Sequence, residues 1–161
     1  MGQLAAVIDG ISDPLYAERL VKIYDASIGL HVRHIIDHYD MFFLGLSTRR
    51  VNYDERPRET QVETNRALAL QRIHKIIGQM KTMQRQDDEL TVIMDLQSDE
   101  TVNTQQKSSV ARELTFLHSH ATHHYATIAF MLRALDMPVA FPEFGLAPAT
   151  IKNQERLKCA P

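Results

Sequence analysis

Apolar residues recur at helical spacing along most of this chain. Ile28, Val32, Ile35, Tyr39, Phe42 and Leu46 step by three and four, which lines one face of a helix. Ser27, a good N-cap residue, sets the start of that helix, and it is expected to run to about residue 47. Val62, Ala69, Ile73, Ile76 and Met80 draw a second stripe, predicting a helix over about 59–83. Val110, Leu114, Leu117, Ala121, Ile128, Leu132 and Leu135 draw a third, on a helix that begins near Ser108 and Ser109 and ends before Pro138. A shorter helical segment covers about 3–10. It breaks at Ser12-Asp13-Pro14, where Asp13 is expected to cap a short turn whose first position suits Pro14.

One stretch leaves the helical pattern. Residues 90–96 are rich in β-formers, 97–100 look like a turn, and 101–104 can return as a second short strand, so a β-hairpin is expected between the third and fourth helices. Residues 51–58 are polar and read as a loop. The tail from about 138 to 161, with Pro142, Gly145 and Pro148, is expected to lie irregularly over the helices. The fold class is therefore mainly α, a four-helix bundle with a short hairpin, in one domain over 1–161.

Composition narrows the function classes. The chain has 161 residues, 44% hydrophobic and 24% charged, enough for a single core without staples. A formal charge of -2 argues against a nucleic-acid partner, and Arg49-Arg50 is too small a basic patch to change that. The apolar runs are too short to cross a bilayer, and no basic stretch followed by an apolar block suggests a secretory signal. The single cysteine, Cys159, excludes an internal disulfide, so a cytoplasmic location is expected. The seven methionines are scattered and read as core filler, as Tyr125 and Arg133 read as packing residues.

The chemistry lies in the histidines. Of eight, His31, His34 and His38 sit on the second helix, His118, His120, His123 and His124 on the fourth, and His74 stands apart. Imidazole is the commonest protein metal ligand. His120 and His124, four apart, point the same way from consecutive turns and can grip one ion. A third ligand from a facing helix would leave positions open for water or substrate. Counting about 100° per residue from Ala121, His124 falls roughly 60° and His120 roughly 100° from the core centre on one flank. His118 falls on the other flank, and His123 points away. On the second helix, His31 and His38 lie nearer the apolar stripe than His34, so phase alone favours one of those two. A pH-sensitive interface of stacked histidines is the competing reading.

The segments 27–38, Arg112-Glu113-Leu114 and 119–124 resemble the DinB/YfiT-like superfamily, and Phe144 to Thr150 is similar to the ending of a DinB-like subgroup. The resemblance implies an up-down-down-up four-helix bundle, often dimeric, with one metal-ligating histidine on the second helix and two, four apart, on the last. Its H-x-x-D element falls on His34 to Asp37 and its paired element on His120 and His124. The implied ligands are thus His34, His120 and His124, holding one divalent transition metal (Zn, Ni, Fe or Mn). His31, His38, His123 and Glu113 become candidates to support them, although the plain reading of Glu113 is a solvated helix charge. The resemblance further implies a metal-dependent thiol S-transferase or hydrolase acting on a small molecule, with a low-molecular-weight thiol as candidate partner, in a homodimer. No catalytic acid or base is assigned. The alternative is a non-catalytic metal-binding or stress-response dimer.

Overall fold

Four polar side chains set the starts of four helices. Ser12, Ser27, Asn65 and Ser109 each accept a hydrogen bond from the backbone N–H three residues on, satisfying a donor that the first helical turn leaves open. The structure, a computed structural model, describes residues 1–23, 25–84, 88–95 and 103–158. It is mainly helical with a small three-stranded sheet. In chain order the elements are α1 (Gly2–Asp9), α2 (Asp13–Ala17), α3 (Ile28–Leu46), β1 (Arg50–Asn52), α4 (Thr60–Thr64), α5 (Arg66–Thr82), β2 (Glu89–Asp95), β3 (Asn103–Ser109), α6 (Val110–Ala134) and α7 (Pro148–Lys158). No helix among the described residues is long and apolar enough to cross a membrane.

Helix α3 is the centre of the packing. It lies against α2, α4, α5, α6 and β1, and its predicted stripe is buried from Ile28 to Phe42, with Leu46 half-buried. On α6 the stripe residues Val110, Leu117, Ala121, Ile128 and Leu132 are likewise buried. The ion pairs of Arg72 with Asp40 and with Glu59 (3.1 Å) join α5 to α3 and to the loop ahead of α4.

Several expectations need correction. The cap of α2 is Ser12, and Asp13 is a helical residue behind it. The single third helix is two, because Asn65 takes an extended conformation and caps α5 after α4 ends. The polar loop at 51–58 begins inside a strand: β1 pairs in parallel with β2, Val51 opposite Val92. Val51 and Tyr53 are fully buried there. β2 pairs with β3 in antiparallel register from Glu89 opposite Ser109 to Asp95 opposite Asn103, and β3 runs over Asn103–Ser109, later than the expected return strand at 101–104. Its expected turn at 97–100 lies outside the described residues, as does Cys159. The tail is not irregular throughout: α7 forms with no buried residue, so it has no apolar stripe that periodicity could detect.

Two glycines test this packing from opposite sides. Gly29 opens α3 where a Cβ would strike the Glu63 carbonyl of α4 and come within 2.9 Å of the Tyr16 ring. Gly78, inside α5, has nothing within 4 Å of such a Cβ. Gly29→Ala is expected to lower stability by about 1–3 kcal/mol through overpacking. Gly78→Ala should raise it by about 0.5–1 kcal/mol through helix propensity. Urea unfolding midpoints measure both, and equal shifts would contradict the close α3–α4 approach.

Candidate metal centre

The spacing of the histidines along α3 and α6 brings five of their rings together. The His31 and His124 rings lie 5.3 Å apart, with Nδ1 facing Nδ1 at 3.0 Å. At the other end His38 lies 4.3 Å from His120, between ring centres. An early residue of α3 thus meets a late residue of α6, and the reverse, so the two helices run antiparallel. His34 sits between these pairs, 5.0 Å from His120 and 4.6 Å from His124. One ring nitrogen from each of His34, His120 and His124 falls within 4.8 Å of the others. Two nitrogens bound to one ion at about 2.1 Å stand at most roughly 4.2 Å apart, so small side-chain rotations suffice to close the set.

The remaining histidines separate cleanly. His74 and His118 are exposed and join no part of this cluster. His123 is exposed, but its ring meets the edge of His124 at 5.2 Å. His31 and His38 are each only 4% exposed, whereas His34, His120 and His124 are half-buried. Helical phase therefore identifies the two most buried histidines of α3 correctly. The three-residue group is instead made of the half-buried rings of the cluster.

Hydrogen bonds fix what several rings can do. A carbonyl can only accept, so His38 Nδ1 donates to the His34 carbonyl oxygen at 2.8 Å. A guanidinium can only donate, so His38 Nε2 accepts from Arg56 Nη1 at 3.2 Å. Both nitrogens of His38 are thereby engaged, which leaves it no lone pair for an ion. Between His31 and His124 one Nδ1 must donate and the other accept, and this contact orients the His124 ring. His120 Nε2 is buried and has no hydrogen-bond partner among the described residues. A neutral imidazole nitrogen in that situation suits a cation.

The cluster strongly resists protonation. Burial, followed by repulsion from the neighbouring imidazoles and Arg56, presses His34 down to about 2. Burial and the surrounding histidines hold His124 at about 3. His38 is lowered to about 4, chiefly by burial, against the opposing bond to the His34 carbonyl. His31 and His120 shift the same way, again by burial first and His123 second. At neutral pH the seam is a set of uncharged donors.

A second polar group supports one end of it. Glu113 is fully buried, not solvated as its type suggests. Its carboxylate accepts from the Tyr53 hydroxyl at 2.9 Å, from Ser108 Oγ and from Arg112 Nη1 at 2.8 Å. Burial and Glu113 both push the Tyr53 hydroxyl upward, so it stays protonated and donates. The Tyr53 ring stacks on His38 at 5.5 Å, and Phe116 closes the same end, 5.6 Å from His120. Tyr53, Arg56 and Phe116 have no signature in the histidine pattern. The nearest signal in the sequence is the aromatic one turn before His120.

Comparison with known proteins places these features in context. The family model of the DinB superfamily matches residues 2–128, a span that includes all five clustered histidines and stops short of Phe144 to Thr150. Over 108 residues the chain is 34% identical to a protein named FK506-binding protein 5 from Rhizopus delemar, a match covering 64% of this chain. It spans only 27% of that relative's length. No solved structure matches the chain significantly.

The shifted histidines carry a pH signature in chelator-treated protein. Unfolded, they protonate near 6.5, whereas folded His38 waits until about 4. Stability is therefore fully present above the unfolded value. It falls as acid is added below it, because the unfolded chain takes up protons that the folded chain refuses. The urea midpoint should drop between about pH 7.5 and about pH 5.5, and His38→Gln should make that drop shallower. A midpoint flat across this range would contradict the neutral seam.

Proposed function

The chain belongs to the DinB superfamily, and from that premise we propose that it holds one divalent transition metal through His34, His120 and His124 and uses it on a small molecule. The observation that carries this reading is the convergence of three ring nitrogens from two helices within 4.8 Å. The superfamily is generally metal-binding, and the residues fit such an ion: neutral, half-buried, and including one buried nitrogen with no partner among the described residues. Zn, Ni, Fe and Mn all suit imidazole donors to a degree, and the donor set does not choose among them. We take α1, α3, α5 and α6 as the four bundle helices, with α3 against α5 and α6, and α1 against α5.

We read the activity as that of a metal-dependent thiol S-transferase or hydrolase. When bound, the metal would supply Lewis acidity that lowers the pKa of a coordinated thiol or water. The chain's own residues do the rest. His34, His120 and His124 would hold the ion, three ligands that leave room in its coordination for a further donor. His31 keeps His124 oriented, and His38 packs beside His34 and His120 with both nitrogens occupied. The Tyr53 and Phe116 rings pack against His38 and His120 at that end. The competing pH-sensitive interface is disfavoured because burial and crowding lower all five clustered rings, His34, His38 and His124 to about 4 or below. The match to part of a longer FK506-binding protein extends to 27% of it and carries no ligand over to this chain.

Purified protein should contain or take up one metal ion per chain, read by elemental analysis and calorimetric titration. His34→Ala, His120→Ala and His124→Ala should each weaken binding by about 100-fold or more, beyond the roughly 10–100-fold expected for supporting residues. His74→Ala and His118→Ala should leave it unchanged. Failure to bind Zn, Ni, Fe or Mn would overturn the reading. Stoichiometric metal with no turnover of thiols and electrophiles would favour a non-catalytic metal-binding protein.

A further inference from the structure

Resting on that metal reading, we propose that Arg56 selects small molecules carrying an anionic group, of which a carboxylate is the simplest, beside the atom that meets the metal. Four described arginines are half-buried: Arg33, Arg56, Arg66 and Arg72. Three of them have carboxylate partners: Arg33 with Glu63, Arg66 with Asp9 and Asp13, Arg72 with Asp40 and Glu59. Arg56 has none within ion-pair distance among the described residues; its polar contact is the neutral His38 Nε2. Asp54 and Asp37 offset part of its charge from beyond ion-pair distance while Arg58 and Arg33 oppose it, so burial of this guanidinium is only partly compensated.

Its position explains what would compensate it. Arg56 acts electrostatically on His34, His38 and His120, so its charge lies close to the three-histidine group. The loop that carries it is pinned on both sides. Tyr53 bonds to Glu113 before it, Asp54 N–H donates to Asn52 Oδ1 at 3.0 Å, and Glu59 pairs with Arg72 after it. A metal ion in the group would add a second positive centre near this guanidinium with no carboxylate within ion-pair distance of it. An anion bridging the two would relieve both, and a guanidinium has spare donors for two parallel bonds to a carboxylate. Phosphate or carboxylate groups share this chemistry.

A simpler role must be separated: Arg56 could serve only to hold His38. Arg56→Gln removes the charge and keeps a shorter amide donor, and the Co(II) affinity reads whether His38 still supports the group. The test uses protein loaded with Co(II), titrated anaerobically with 3-mercaptopropionate and with 2-mercaptoethanol and read by the thiolate-to-cobalt absorption band. The wild type should bind the mercaptopropionate about 10-fold or more tightly than the neutral thiol, the scale of one charge-assisted hydrogen bond. In Arg56→Gln the preference should shrink to about 2-fold, while Co(II) stoichiometry and affinity hold. Equal binding of the two thiols by wild type, a preference that survives in Arg56→Gln, or no spectral response to either thiol in Co(II)-loaded protein would overturn the role of Arg56 alone. Failure to take up Co(II) at all would overturn the metal reading and this inference with it.

Discussion

The crowding of imidazoles along the α3–α6 seam is the constraint on which the rest depends. Five rings lie within about van der Waals reach of their neighbours, and ring centres approach to 4.3 Å between His38 and His120. At that density two adjacent positive rings are excluded, and burial removes the water that would soften the repulsion. The chain therefore keeps the rings neutral and must find a use for each lone pair. His38 commits both of its nitrogens to the His34 carbonyl and to Arg56. His31 and His124 share one contact. His120 Nε2 is left buried without a partner among the described residues, next to His34. A cation is the simplest occupant that satisfies such a set without adding charge to any ring.

The sheet matters because it delivers the support for this seam. β3 ends at Ser109 and α6 begins at once, so Ser108 and the helix cap are placed by strand register. β1 lies on the other side of β2 and carries the chain to Tyr53. Glu113, one turn inside α6, accepts hydrogen bonds from both Ser108 and Tyr53. A carboxylate that would be costly if buried alone is satisfied by three donors, and in return it locks the ring that stacks on His38. Removing one donor, as in Tyr53→Phe, would leave the carboxylate under-satisfied, so the network works as a unit.

Periodicity and local capping make some parts of the fold legible in the amino-acid sequence. The caps at Ser27 and Ser109 and the stripes of α3 and α6 are such features, decided within a turn or two of helix. The His120–His124 pair is legible for the same reason, since a spacing of four fixes its geometry on one helix. The choice among His31, His34 and His38 is not, because it depends on how α3 is rotated against α6, and apolar phase reports only which side is driest. Most of β3 escapes a sequence reading because an edge strand of Gln, Lys and Ser has no apolar alternation, while its partner β2 lies between two strands and reads clearly. Asn65 is hidden although Asn is a favoured cap, because the apolar positions continue in phase across it. The burial of Glu113 depends on a partner 60 residues earlier in the chain, and Arg56 arrives from a loop without periodicity.

Two functional readings of clustered histidines compete on general grounds, a proton switch and a metal centre, and the electrostatics separate them. A switch needs rings whose charge changes near physiological pH, hence values close to that of free imidazole. Here burial, with the neighbouring rings adding to it, drives His38, His124 and His34 to about 4, about 3 and about 2. Such groups hold one state throughout the neutral range and cannot report on it. A metal ligand needs the opposite property: a lone pair that protons do not occupy when the ion arrives. Depressed basicity costs some bond strength to the ion, but the neutral state is already prepared, and no proton has to leave when the ion binds. The arrangement of α3 against α6 therefore favours a standing coordination site over a sensor.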